Sequence, residues 1–170
     1  MRCLRLLLTA CLAATLGGCA GYQLGPTGGQ TAGEKSVQII PFINQTAEAR
    51  LADTVTSALR KEVQRDGTFR LATRDPGDIV VTGVLTNYSR RAISLVPSDV
   101  ATAQDYNVSL GAQVTARERS SDRVIFERAV ISHTLVRVTQ DLPSSERQAL
   151  PLLATDLARR VTALLADGSW

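Results

Sequence analysis

The chain is short of the residues that most protein chemistry uses. Its three cysteines, Cys3, Cys11 and Cys19, all fall within the first 19 of 170 residues, so the remainder carries no thiol. A disulfide framework or a cysteine zinc site is thereby excluded beyond residue 19. The single histidine, His133, lies in a strand-like run with no Ser-His-Asp pattern around it, and a metal ligand set needs at least three donors. Phosphate-cradling loops place glycine between a strand and a helix; here the glycines gather between Gly21 and Gly33 instead. No spacing singles out a carboxylate pair. Long apolar runs are missing too: the longest, Leu6 to Leu16, is interrupted by Thr9 and Thr15 and ends in two glycines. That is far below the roughly 20 residues a transmembrane helix needs. These absences point away from an enzyme and toward a binding protein.

What is present begins at the amino terminus. Arg2 and Arg5 precede the apolar run, which is the layout of a secretory signal. Leu16-Gly17-Gly18-Cys19 resembles the lipobox of bacterial lipoproteins, in which the peptide is cut before the cysteine and the thiol takes a diacylglycerol. Cys19 is the expected lipidation site, carrying that diacylglycerol and a further acyl chain, with no other cofactor. One acyl chain binds a membrane only marginally, whereas two or more anchor stably. Ala20, where an aspartate would signal retention, resembles the outer-membrane sorting class, so the expected location is the outer membrane, lipid-anchored and facing the periplasm.

Cleavage after residue 18 removes Arg2 and Arg5 and no acid, leaving 17 basic against 16 acidic residues. With aromatics at 4%, the chain offers neither a phosphate-tracking charge stripe nor a stacking platform, and nucleic acid is excluded as a partner. The expected organisation is a signal peptide over 1–18, a lipidated tether over 19–35 and one domain over 36–170. The glycine-rich tether reaches roughly 20–25 Å as a random coil.

Within the domain, Val37 to Phe42 reads as a short strand stopped by Pro41, and Phe69 to Leu71 as another. Between them Leu51, Val55, Ala58, Leu59 and Val63 recur at helical spacing, with Thr46 as the expected cap and Asp66-Gly67 as the stop. Three longer strand signals follow, Ile79–Ser89, Tyr106–Ala116 and Val124–Val138. The middle one alternates strictly, Tyr106, Val108, Leu110, Ala112, Val114 and Ala116 against polar or small neighbours. Residues 92–105, with Pro97, read as a long working loop. A last helix from Ser144 to about Ala166 carries Leu150, Leu153, Leu157, Val161, Leu164 and Leu165 on one stripe; Pro151 implies a bend there or a later start. The expected fold class is α+β, two amphipathic helices packed on one face of a mixed, mainly antiparallel four- to five-stranded sheet whose other face is polar.

The basic residues fall at strand ends. Arg90 and Arg91 open the 92–105 segment, Arg117, Arg119 and Arg123 flank a hairpin turn, and Arg137 closes the last strand. Antiparallel neighbours bring Arg90, Arg91 and Arg137 to the same end of the sheet, where guanidinium groups can take phosphate bidentately beside Ile93, Leu95 and Val96.

The chain as a whole resembles the LPS-assembly lipoprotein (LptE) family. The resemblance rests on the lipobox followed by Gly21-Tyr22, on "IPFINQT", on "GDIVVTGVLTNYSR" and "AQDYNVSLGAQVTARE", and on "SSERQALPLLATDLARRVTALL" as the closing helix. It implies an outer-membrane lipoprotein that sits inside an LptD-type β-barrel partner, helps it assemble and binds lipopolysaccharide on its way to the cell surface. The family's basic loop residues fall near Pro97 and Thr139, so Arg90, Arg91 and Arg137 stand in for them by position. Two alternatives share part of this pattern: an outer-membrane lipoprotein that activates a peptidoglycan synthase, and a secreted hydrolase, which the missing site disfavours.

Overall fold

A computed structural model describes residues 32–96, 99–138 and 141–167. The leader, Cys19, the tether as far as residue 31 and Trp170 lie outside the described residues. The described chain is held from Gly33 onward, whose N–H donates to the Thr68 carbonyl at 3.0 Å, slightly ahead of the expected boundary at residue 36.

The elements run β1 (Ser36–Ile39), β2 (Ile43–Asn44), α1 (Leu51–Asp66), β3 (Arg70–Leu71), β4 (Ile79–Val96), β5 (Asp99–Glu118), β6 (Val124–Arg137) and α2 (Leu142–Ala166). They form one six-stranded sheet in the order β3-β1-β4-β5-β6, with β2 also paired to β4. The β1–α1–β3 crossover gives parallel pairing, as does β1 with β4, while β4, β5 and β6 form an antiparallel meander. The fold class is therefore the expected α+β arrangement, with β2 raising the strand count to six.

Both helices cover one face. Leu51, Val55, Leu59 and Val63 of α1 and Leu150, Leu153, Leu157, Val161 and Leu165 of α2 are buried, matching the apolar stripes. They meet Ile79, Val81 and Leu85 of β4 and Val108, Leu110, Ala112, Val114 and Ala116 of β5, which form one continuous core. Gly83 sits in this face because the Phe42 ring lies directly over its Cα; a Cβ there would overlap the ring. Phe42 is fixed in turn by its N–H, which donates to Thr56 Oγ1 at 3.1 Å.

Three local expectations differ from the structure. Helix α1 begins at Leu51, with no side-chain cap at Arg50. Thr46 instead serves a turn before the helix, its Oγ1 accepting from the Glu48 N–H at 3.3 Å. Helix α2 is capped by Asp141, which accepts from the Ser144 N–H at 2.7 Å, and it starts at Leu142 with Pro151 inside it, which excludes the later start. The 92–105 segment is not a loop: β4 and β5 extend through it as a hairpin paired as far as Val96 and Asp99, with register shifts at Ala92/Ser94, Ser94/Leu95 and Leu95/Val96. Those irregularities break the two-residue period that marks a strand in sequence.

Candidate functional site

The extended hairpin divides the sheet lengthwise. Up to Leu85, β4 is flanked by β1 and β2; from Asn87 onward it pairs only with β5 among the described residues. A register shift between Leu85 and Asn87 marks the change. Above it, direct partners across the three strands are Tyr88, Leu110 and Ser132; Arg90, Val108 and Thr134; Arg91, Asn107 and Leu135. Since direct partners share a face, Tyr88 and Arg90 lie on the helical side with the buried Leu110 and Val108, and Arg91 lies on the open side.

This separates the three arginines singled out by sequence. Arg90 reaches across to α2, its Nη1 donating to Glu146 Oε2 at 2.8 Å, while Tyr88 Oη donates to Glu146 Oε1 at 2.6 Å. Glu146 is largely covered, its side chain 13% exposed. Burial, followed by the hydrogen bond to Glu146, pushes the Tyr88 hydroxyl well above the ordinary phenol range. Arg90 thus ties the hairpin to the first turns of α2.

Arg137 sits in register with Asp105 on the open face, donating from Nε to Oδ1 at 2.8 Å and from Nη2 to Oδ2 at 3.3 Å. Ser94 Oγ adds a third contact to Asp105 Oδ2 at 2.6 Å. The Arg137 and Ser94 hydrogen bonds hold the Asp105 carboxyl below its usual range. These contacts use Nε and Nη2, and the Arg137 side chain is 68% exposed. Arg91 is exposed and, among the described residues, makes no hydrogen bond or ion pair. Two strand spacings and one two-residue step separate the Arg91 and Arg137 backbones by about 12 Å.

Apolar side chains accompany these cations. Leu135 is 71% exposed, Ile131 53% and Ile93 52%, and Leu135 and Ile131 share the open face with Arg137 and His133. The open face is therefore mixed, polar along β5, with apolar Ala129, Ile131 and Leu135 interspersed among Glu127, His133 and Arg137 along β6. Strand order in the sequence brought Arg91 and Arg137 to one end of the sheet, and periodicity gave the alternation of β5. It gave no sign of Asp105, Tyr88 or Glu146, whose roles arise from pairing at separations of 32, 58 and 56 residues. Extending the β5 alternation back one residue from Tyr106 would have put Asp105 on the open face. Among the described residues no group of three metal-binding side chains occurs, and no helix is long and apolar enough to cross a membrane.

A model of the lipopolysaccharide-assembly family, LptE, matches residues 34–165, nearly the whole described domain. The chain belongs to the LptE family. No curated protein sequence matches it. Solved structures resemble this LptE-family domain at low identity. One from Xanthomonas campestris has a TM-score of 0.62 at 9% identity, covering 85% of this chain and 91% of that one. A hypothetical protein from Chlamydia trachomatis has 0.57 at 11%, covering 78% and 95%. A putative lipoprotein from Caulobacter crescentus has 0.54 at 10%, covering 78% and 88%. At such identities the likeness concerns the fold.

Proposed function

We propose that this LptE-family chain is an outer-membrane lipoprotein, anchored through Cys19, that binds an LptD-type β-barrel, assists its assembly and takes part in delivering lipopolysaccharide to the cell surface. The family match over residues 34–165 carries this reading. The leader supports the anchor: basic residues, a short apolar run and Leu16-Gly17-Gly18-Cys19 stand in the order that lipoprotein processing requires. The protein acts by binding.

The upper open face supplies the chemistry a phosphorylated lipid needs. Lipopolysaccharide carries phosphates beside acyl chains, so its receptor combines guanidinium groups with apolar surface. Arg91 and the exposed Arg137 offer the first, Leu135 and Ile131 the second. Arg90, the third residue assigned to this role, is engaged by Glu146 on the other face and contributes only by exchanging that partner for phosphate. Charge-assisted contacts contribute about 1.5–3 kcal/mol each when shielded and far less when exposed. Enclosure of this face by a barrel wall would raise their worth.

The test is covalent capture. A photoreactive residue at Asn107, between Arg91 and Leu135, is irradiated in living cells. The reading expects two adducts, a barrel protein and lipopolysaccharide. Capture of a peptidoglycan synthase, with neither of these, would replace it by the cell-wall alternative.

A further inference from the structure

The last turns of α2 lie beside a groove of about 700 Å³. Its helical side is a single stripe, Arg160, Ala163, Leu164 and Asp167, at the three- and four-residue spacing that shares a helix face. Ala129 and Val130 of β6 line it from the sheet, and Asp66, the last residue of α1, joins them. Through Gln113 and Ala112 these two β6 residues stand level with Val84 and Leu85 of β4, below the register shift and away from Arg91 and Arg137. Alanine at 129 and 163 leaves the space that longer side chains would fill.

The chain itself supplies an occupant. Asp167, the C-cap of α2, lines the groove, and Gly168, Ser169 and Trp170 come next in sequence. Trp170 is the single tryptophan of the 170 residues. Its Cα is no more than about 10 Å from that of Asp167, the reach of three extended residues. A glycine directly after a C-cap commonly takes the left-handed conformation, which turns the chain back toward the residue three before the cap. That residue is Leu164, which lines the groove.

The chemistry of the groove matches an indole, a large apolar body that buries about 150–250 Å² and carries one N–H donor. The alanines, Val130 and Leu164 meet the ring. The Asp66 carboxylate, which already accepts from the Thr68 N–H at 3.2 Å, is an acceptor with further lone pairs for the indole N–H. Arg160, whose Nε donates to Asp156 Oδ2 at 2.9 Å, brings a cation to the ring face. Filling the groove also shelters the middle of β6, an edge strand of 14 residues without proline that has no second strand neighbour among the described residues. Edges of that length are usually covered.

We propose that the indole of Trp170 seats in this groove, folding residues 168–170 back over the end of α2 and covering the Ala129–Val130 stretch of the β6 edge.

The experiment reads tryptophan fluorescence from the full-length lipoprotein in detergent, where the signal comes from this one residue. Acrylamide should quench it at least about threefold less steeply than in the urea-unfolded chain. Ala163 is exposed, so Ala163→Glu puts a charge in the groove without entering the core. It should bring quenching to within about twofold of the unfolded value, with an unchanged circular-dichroism spectrum. A nitroxide on Ala129→Cys should quench the emission, and one on Asp53→Cys, about 20 Å along α1 from Asp66, should not. An indole buried in detergent would also resist acrylamide, but it would ignore both Ala163→Glu and the nitroxide at 129 and be quenched by a nitroxide-labelled detergent. That pattern, or acrylamide quenching equal to that of the unfolded chain, would overturn the proposal.

Discussion

The lower and upper halves of the β4–β5 hairpin are made by the same two strands and differ in what lies against them. From Ile79 to Leu85 the strand is flanked by β1 and β2 and roofed by both helices, and its inward side chains are almost wholly buried. From Asn87 upward the outer edge of β4 has no neighbour among the described residues. On its helical side Val108 and Leu110 remain buried, but β4 itself is tied there by polar groups: Tyr88 and Arg90 to Glu146, with Ser94 and Arg137 to Asp105. Burial of apolar area is the dominant stabilising term in folding, whereas exposed ion pairs contribute little. For β4, apolar burial is therefore concentrated in the lower half, while its upper half is exposed or tied by polar groups.

The contrast can be broken most severely from below. Leu157 is fully buried beneath α2, and Leu157→Ala should cost about 2–5 kcal/mol of unfolding free energy, measured by urea denaturation. A loss under about 0.5 kcal/mol would mean that the helices do not carry the fold. In the upper half, Tyr88→Phe removes one hydrogen bond to Glu146 while Arg90 remains. The expected cost is about 0.5–1.5 kcal/mol, with faster hydrogen exchange in the first turns of α2.

Acid gives the gentlest separation. Asp105, held below its usual range by Arg137 and Ser94, and Asp141, held there by the Ser144 N–H, both have folded-state pKa values depressed relative to the unfolded chain. Their contribution is complete above the ordinary aspartate value of about 3.9 and disappears as pH falls through the lower folded values. The leucine core does not titrate. Hydrogen exchange followed from pH 6 to pH 3 should show upper β5 and the α2 cap opening before Ile79–Leu85. Simultaneous opening of both halves would deny the separation.

The same division governs what could be read from sequence. The helices and the β5 strand are legible because burial imposes a period: Leu51 to Val63, Leu150 to Leu165 and Tyr106 to Ala116 each show the face they bury. Residues 92–105 read as a loop because shifts around Ala92 to Val96 and the polar faces near Asp105 remove that period. The start of α1 was misplaced because Thr46 and Asn44 close a turn of their own, Asn44 Oδ1 accepting from the Thr46 N–H at 3.0 Å. Arg91 and Arg137 could be placed at one end of the sheet by strand order alone. That Arg90 faces the helices depends on the register shift at Leu85/Asn87, and no residue type announces a shift.

The central claim is that the upper open face binds phosphorylated lipid and the lower half does not depend on it. It is tested most directly by titrating purified lipopolysaccharide against the double variant Arg91→Ser with Arg137→Ser, beside Arg90→Ser and wild type. The double variant should bind at least about tenfold more weakly, which is about 1.4 kcal/mol, with urea stability lowered by no more than the roughly 0–1 kcal/mol of an exposed ion pair and an intact barrel complex. Arg90→Ser should change lipid affinity less and loosen the first turns of α2 instead. Undiminished binding by the double variant would contradict the account and place the lipid site elsewhere on the molecule.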